Sequence, residues 1–200
     1  MSEELGRLIV ITPSTGEPLT RTETKIWLKI EEDEVDEDAL VDALIVTARQ
    51  RYEQHTQRAL LRQTFDYYLD EPPCDAIRLP RSPLVSVTSI KGFSDTDAGD
   101  SGGTAMSTSG WYVDVASAPG RVVPLGTFTF PAATRVANST IVRFIAGYSS
   151  GTSGVPEQAK TTLKKMIARA YEFRGDQSAD DIDALMDEVL TDELALPEWG

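Results

Sequence analysis

Apolar residues recur three to four positions apart in several stretches of the chain, which is the spacing of helices with one buried face. The longest stretch predicts a helix from about Asp36 to Gln57, and the acidic run before it suits the positive end of a helix dipole. A short helix is predicted over Lys25 to Ile30, capped by Thr22 or Thr24. A third helix is predicted to open at Pro156 and to run to about Phe173.

Each of these helices is expected to bury one apolar stripe. The stripe of the long helix comprises Leu40, Leu44, Ala48 and Tyr52, widened by Val41 and Ile45. The stripe of the third helix comprises Leu163, Ile167, Ala170 and Tyr171. In the short helix, Ile26, Trp27 and Ile30 lie on one side, so this helix is predicted to face the core.

Between the long helix and the third helix, the pattern changes to the alternation of apolar and polar residues that is typical of strands. Strands are predicted near 64–69, 76–79, 85–93, 111–115, 121–123 and 141–148. Gly, Ser and Asp separate them, and the glycine-rich residues 94–110 predict a long loop or hairpin tip.

The strand that begins after Pro83 has the most restricted start. Pro80 and Pro83 fix their own φ angles and favour extended conformations for the residues before them, so this segment cannot be helical. The alternation that follows places Val85, Val87 and Ser89 on one predicted face and Ser86, Thr88 and Ile90 on the other.

Breaks in these patterns divide the chain into segments. Residues 1–21 are predicted to form an N-terminal arm, 22–61 a first helical part, and 62–148 a β-rich lobe. Residues 149–175 supply a Ser/Gly hinge and a helix, and 176–200 an acidic amphipathic helix and tail. That last helix would be capped by Ser178 and would carry Ile182, Leu185, Met186 and Val189 on its apolar side.

The chain carries 32 acidic and 19 basic side chains, a net charge of −13. This balance argues against a surface that grips nucleic acid. The sequence shows neither a signal peptide nor a membrane span, so the chain is expected to stay in the cytoplasm. Its single cysteine, Cys74, excludes an intramolecular disulfide and a multi-cysteine zinc site, and is expected to be a small loop residue.

Two motifs in the long loop suggest chemistry, and both fail in context. Residues 99–103 read Gly-Asp-Ser-Gly-Gly, the sequence that surrounds the nucleophilic serine in trypsin-like proteases. Such a protease also needs a histidine base, but the only histidine, His55, lies within a predicted helix. It also precedes Ser101 by too few residues for a protease barrel. His55 is expected to be partly buried. Asp95, Asp97 and Asp100 lack the spacing of an EF-hand, so a solvated acidic loop is favoured over a calcium site. No catalytic residue, cofactor or metal ligand is predicted.

Eight blocks of the sequence, taken in order, resemble the tailed-phage head-tail connector (adaptor) family, which also occurs in prophages and gene transfer agents. The most specific block is 78–84, Arg-Leu-Pro-Arg-Ser-Pro-Leu, with Val87-Thr88-Ser89-Ile90. The other blocks are 11–28, 48–60, 112–114, 120–122, 142–148, 155–157 and 170–174.

This resemblance implies an α+β fold: a helical body of about four helices with an inserted β-rich lobe of antiparallel strands. It also implies a structural, non-enzymatic protein that forms a ring of usually twelve copies between the portal protein and an adjacent tail or stopper protein. Such a ring is part of a virion or phage-like particle, is assembled in the bacterial cytoplasm, and lets DNA pass through its channel without specific binding. No membrane is involved.

The chain continues beyond the point where such adaptors often end, and this suggests sites of contact. The acidic tail is predicted to dock on the portal or on a neighbouring subunit through Leu190, Leu194, Leu196 and Trp199. Folding of the tail back onto its own core is an equally open alternative. Contact with the next tail component is predicted for Asp95, Asp97, Asp100 and Met106 of the long loop. The alternatives to a connector are a monomeric protein-binding module and, least favoured, a serine hydrolase.

Overall fold

The computed structural model describes residues 6–71, 76–97, 99–100, 102–126 and 134–173, which form an α+β fold. Three α-helices lie among them: α1 (Arg21–Leu28), α2 (Asp38–Thr56) and α3 (Glu157–Glu172). The strands are β1 (Arg7–Thr12), β2 (Gln63–Leu69), β3 (Ile77–Arg78), β4 (Leu84–Gly92), β5 (Thr104–Ala105), β6 (Trp111–Asp114), β7 (Arg121–Pro124) and β8 (Thr140–Ala146). The predicted α+β class is confirmed, and the fourth predicted helix, from Ser178, lies outside the described residues.

The chain divides into two compact units. The β unit comprises Met1–Ser14 and Arg62–Tyr148, and the helical unit comprises Thr15–Leu61 and Ser149–Gly200. The predicted arm therefore contributes to both, because its residues 7–12 form β1 and the residues after Ser14 belong to the helical unit. Every helix within the described ranges is too short or too polar to span a membrane.

The β unit contains a five-stranded antiparallel sheet in the order β1-β2-β8-β4-β5. Its centre is β8, which pairs with β2 along its whole length, from Gln63↔Ala146 to Leu69↔Thr140. Phe65 and Phe144 lie opposite each other in this register and stack with ring centroids 5.3 Å apart. This contact joins residues that are far apart in sequence and forms the middle of the β core.

Strand β4 does not keep the uninterrupted alternation that the sequence predicted. Its pairing with β8 shifts between Leu84 and Ser86 and again between Val87 and Ser89, so Val85 and Thr88 are the extra residues of two bulges. Both bulge residues are exposed, whereas Leu84 and Ile90 are buried. The predicted face of Val85, Val87 and Ser89 is therefore wrong, because each bulge reverses the side to which later residues point.

In the helical unit, α2 and α3 bury the predicted side with small shifts. The buried residues of α2 are Val41, Ile45, Ala48, Tyr52 and Glu53, while Leu40 and Leu44 are half-buried. Leu163, Ile167 and Ala170 of α3 are buried as predicted, together with Met166. His55 is exposed, so its predicted partial burial is wrong.

The short helix α1 differs most from its prediction. Its cap is Thr20, whose Oγ1 accepts a hydrogen bond of 3.1 Å from the backbone N–H of Glu23, and not Thr22 or Thr24. The prediction that Ile26 and Trp27 face the core is also wrong, since these side chains are 72% and 46% exposed. The buried side of α1 carries Thr24 and Lys25 instead.

Candidate interaction surfaces

A network of ion pairs fixes the orientation of α1 on α2. The Arg21 guanidinium donates to Asp38 at 2.8 Å and to both carboxylate oxygens of Asp42. The buried Lys25 ammonium donates to the Asp38 carboxylate at 2.9 Å and to the carbonyl oxygens of Glu32 and Glu34. Lys25 and then Arg21 hold the pKa of Asp38 below its ordinary value. Because these polar groups occupy the inner side of α1, its apolar residues point outward.

The outward side of α1 forms an open groove in the helical unit, with a volume of about 420 Å³ and lined by Glu23, Ile26, Trp27, Lys29 and Lys164. The Lys164 ammonium lies 5.9 Å from the centre of the Trp27 ring and donates to Glu23 at 3.0 Å. Burial raises the pKa of Glu23, but the hydrogen bond and charge of Lys164 outweigh it and lower that pKa overall. Tryptophan is enriched in the contact surfaces of protein complexes, so an exposed tryptophan beside an exposed isoleucine makes this groove a candidate contact surface. We call these five residues the α1 groove.

Strand β1 presents a second exposed surface at an edge of the large sheet. Among the described residues it pairs only with β2, and Val10 and Ile11 are 47% and 43% exposed. A bulge at Ile11 interrupts its pairing with β2. Such an edge offers backbone groups to another strand, and the bulge limits the length over which pairing can run.

The long loop contains the residues for which a contact with the next tail component was predicted. Their carboxylates serve separate local partners: Asp97 accepts from the backbone N–H and the hydroxyl of Ser94, Asp95 from Thr134, and Asp100 from Arg135. The hydrogen bonds from Ser94 hold the pKa of Asp97 below its ordinary value. Met106 is 8% exposed. Within the described ranges, no cluster of three or more His, Cys, Asp or Glu residues could hold a metal ion.

Arg135 organises this loop, and no sequence pattern predicts its role. Its guanidinium lies 4.7 Å from the centre of the buried Phe93 ring and donates to Ala137, Gly99 and Asp100 at 2.7, 3.3 and 2.8 Å. These contacts join two loop segments more than thirty residues apart in sequence. Contacts between residues so far apart leave no periodic pattern in the sequence, so only the folded structure identifies the role of Arg135.

The second sheet of the β unit, in the order β3-β7-β6, has one polar face. Arg78, Arg121 and Asp114 lie opposite one another across the three strands, and the exposed Tyr112 lies beside them on β6. Hydrogen bonds from the Ser117 side chain and then from Arg121 lower the pKa of Asp114 to about 2. Arginine and tyrosine side by side make this face a further candidate contact surface.

Several residues singled out in the sequence lie outside the described residues. These are Leu190, Leu194, Leu196 and Trp199 of the acidic tail, together with Cys74 and Ser101. His55, the only histidine that the protease hypothesis could use, is an exposed residue in the last turn of α2.

The chain is similar to chains in solved structures of gene transfer agent (GTA) particles. One belongs to the neck of an empty GTA particle computed with C6 symmetry, with a TM-score of 0.73 and 24% identity over 92% of this chain and 94% of that chain. Another belongs to the virion of a native GTA particle, with a TM-score of 0.72 and 23% identity over 90% and 93% of the two chains. A third belongs to the neck of a native GTA particle computed with C12 symmetry, with a TM-score of 0.67 and 23% identity over 92% and 94%.

No protein-family model matches the sequence, and no curated protein matches it. The likeness to the GTA chains extends over nearly the full length of each partner, so both units of this chain are included in the shared fold.

Proposed function

We propose that this chain is a head-tail connector (adaptor), a structural protein that forms a ring between the portal and the tail of a phage or phage-like particle. The observation that carries the proposal is the match to neck chains over more than nine tenths of both partners. The sequence resemblance to the connector family supports it independently, because it rests on ordered blocks of residues and not on the fold.

The proposed ring contains twelve copies and surrounds a channel for DNA. One of the similar neck structures was computed with C12 symmetry and another with C6 symmetry, both compatible with a cyclic assembly. Twelve copies at −13 each would carry a formal charge on the order of −150. Acidic groups along such a channel would repel phosphates, so the duplex could pass with few contacts to hold it.

The proposed partners are the portal protein on one side and the adjacent tail or stopper protein on the other. We assign portal or neighbour-subunit docking to the acidic tail, residues 176–200, through Leu190, Leu194, Leu196 and Trp199. Contact with the next tail component is assigned to the long loop. The assigned residues are Asp95, Asp97, Asp100 and Met106, of which Asp95 and Asp100 are exposed, Asp97 is half-buried and Met106 is buried.

Electron microscopy of the full chain mixed with its cognate portal tests the proposal. Rings seated on the portal are the expected result. A chain that stays monomeric and unattached at every concentration tried would refute the connector role and favour a solitary binding module.

Deletion of residues 190–200 tests the docking assignment separately. We expect this deletion to abolish attachment to portal-bearing heads, whereas the point substitution Ser101→Ala in the long loop should leave attachment intact. If attachment persists after the deletion, the assignment of docking to the tail is wrong, but the proposed connector role is unaffected. A hydrolytic activity lost in Ser101→Ala would instead favour the hydrolase.

A further inference from the structure

A closed ring of more than two copies places a particular demand on the surface of each subunit. Its contacts are heterologous: one patch of each copy meets a different patch of the next, and the two patches lie on different sides of the subunit. The inference below rests on the proposed ring. Within the helical unit, two complementary patches satisfy this demand.

The first patch is the α1 groove. It is apolar at Ile26 and Trp27, which are the most exposed large apolar residues of α1, and its rim carries the ammonium groups of Lys29 and Lys164. Lys29 is exposed and ends the helix with a positive φ of 59°. The groove therefore suits an apolar side chain that is flanked by carboxylates.

The second patch is the loop that connects α1 to α2, which we call the acidic loop (residues 30–37). Val35 is 65% exposed in it. The loop also carries five exposed carboxylate residues: Glu31, Glu32, Asp33, Glu34 and Asp36. A single exposed valine between Glu34 and Asp36 matches the apolar floor of the α1 groove. The flanking carboxylates match its rim, where the two ammonium groups and the Glu23 carboxylate leave one net positive charge.

The groove residues of α1 and the side chain that anchors the acidic loop lie on different sides of α1. At about 100° per residue, Ile26, Glu23 and Trp27 lie about 100°, 160° and 200° around the helix axis from Lys25. The Lys25 ammonium holds the acidic loop through the carbonyl oxygens of Glu32 and Glu34. The acidic loop therefore lies on the Lys25 side of α1, and the groove opens on the other side. A ring needs such an arrangement, because one side of each copy must contact a different side of the next copy.

We infer that the α1 groove of one copy receives Val35 and its flanking carboxylates from the acidic loop of the next copy. Each copy then contributes a groove to one neighbour and a loop to the other. Apolar burial at Ile26, Trp27 and Val35 holds the contact, and the charges select its polarity around the ring.

Disulfide trapping in the full chain tests this contact. The variant carries Ile26→Cys and Val35→Cys in a Cys74→Ser background, and it is oxidised alone at high concentration and again with the cognate portal. We expect a ladder of dimers, trimers and larger species, because each copy can be linked on two sides. Each single-cysteine variant should lose every species above the background dimer, because the proposed contact offers its thiol no partner thiol and one thiol per chain can form only one disulfide.

Two outcomes overturn the inference while the ring remains. One is the formation of rings, seen by electron microscopy, when the double variant gives no ladder of disulfide-linked species. The other is a strong dimer from a single variant, which would indicate a two-fold contact. Absence of both rings and ladder, with portal present, would refute the proposed function itself.

A charge substitution identifies other occupants of the groove. Ile26→Asp should eliminate rings, whereas Val136→Asp, an equal change at a side chain that is 92% exposed in the β unit, should leave them intact. Far-UV circular dichroism verifies that both variants fold. If Ile26→Asp rings still form but no longer attach to the portal, the groove receives the portal and the inference is wrong.

Discussion

Glu53 fixes the chain where it leaves α2, and its removal should destabilise the helical unit. The side chain of Glu53 is 11% exposed, and one carboxylate oxygen accepts the backbone N–H of Leu60 at 2.8 Å. The other oxygen accepts from the Arg49 guanidinium at 3.2 Å, and Arg49 is also paired with Glu17. Leu60 is fully buried, so water cannot replace the lost acceptor in Glu53→Ala.

The size of the effect follows from these contacts. An orphaned buried N–H costs about 1–3 kcal/mol, and a hydrogen bond to a charged group contributes about as much. Arg49 keeps the Glu17 carboxylate, which reduces the second contribution. We therefore expect Glu53→Ala to lower the free energy of unfolding by about 2–4 kcal/mol. Glu53→Gln, which keeps an acceptor for Leu60, should cost about half of that.

Urea unfolding followed by far-UV circular dichroism measures the change. Hydrogen exchange of the Leu60 amide locates it, because that amide should exchange faster in Glu53→Ala. The matched control is Glu172→Ala, the same substitution at an exposed position in the last turn of α3. This control should change stability by less than about 1 kcal/mol. If Glu53→Ala were no more destabilising than the control, the role assigned to Glu53 would be wrong.

Three further predictions concern the β unit and the charge of the chain. Gly103→Ala should lower the free energy of unfolding by about 1–3 kcal/mol, because Gly103 has φ +79° and a new Cβ would come 2.6 Å from the buried Phe93 ring. Gly99→Ala is the control: Gly99 has φ +77° but open space around it, so the loss measured by thermal unfolding should be smaller. NMR titration should give Asp114 a pKa of about 2, and Ser117→Ala should raise that pKa. Because the pKa of Asp114 is lower in the folded than in the unfolded chain, its stabilisation is complete above about pH 4 and is lost as the pH falls toward 2. Gel-shift assays at low salt should detect no binding of duplex DNA to the chain, and a salt-sensitive complex would contradict the proposed non-adhesive channel.

The sequence predicted best what depends on local periodicity. All three described helices and six of the strands were predicted near their observed positions, since the apolar period and the flanking Pro, Gly and acidic residues act within a few positions. Strand β1 was predicted only as part of an arm. Its short apolar run does not reveal that β2, more than fifty residues later, supplies its partner.

The errors occurred where a few contacts outweigh periodicity. In α1, an apolar pattern predicted that Ile26 and Trp27 face inward, but the ion pairs of Arg21 and Lys25 turn the helix the other way. A helix of eight residues has too little apolar surface to resist such a network. In β4, two bulges opposite β8 reverse the alternation, and a bulge is a property of the pair of strands that one strand's sequence does not encode.

The arrangement of positive charge bears on the proposed passage of DNA more directly than the net charge does. Several lysine and arginine residues of the described part form ion pairs with carboxylates of the same chain, among them Arg21, Lys25, Arg49, Arg121, Arg135, Arg143, Lys160 and Lys164. A cation already paired in the fold releases little free energy on meeting a phosphate, because it must first give up its carboxylate. Basic residues thus stabilise each unit from within, while the carboxylates left at the surface set the potential that a passing duplex would meet.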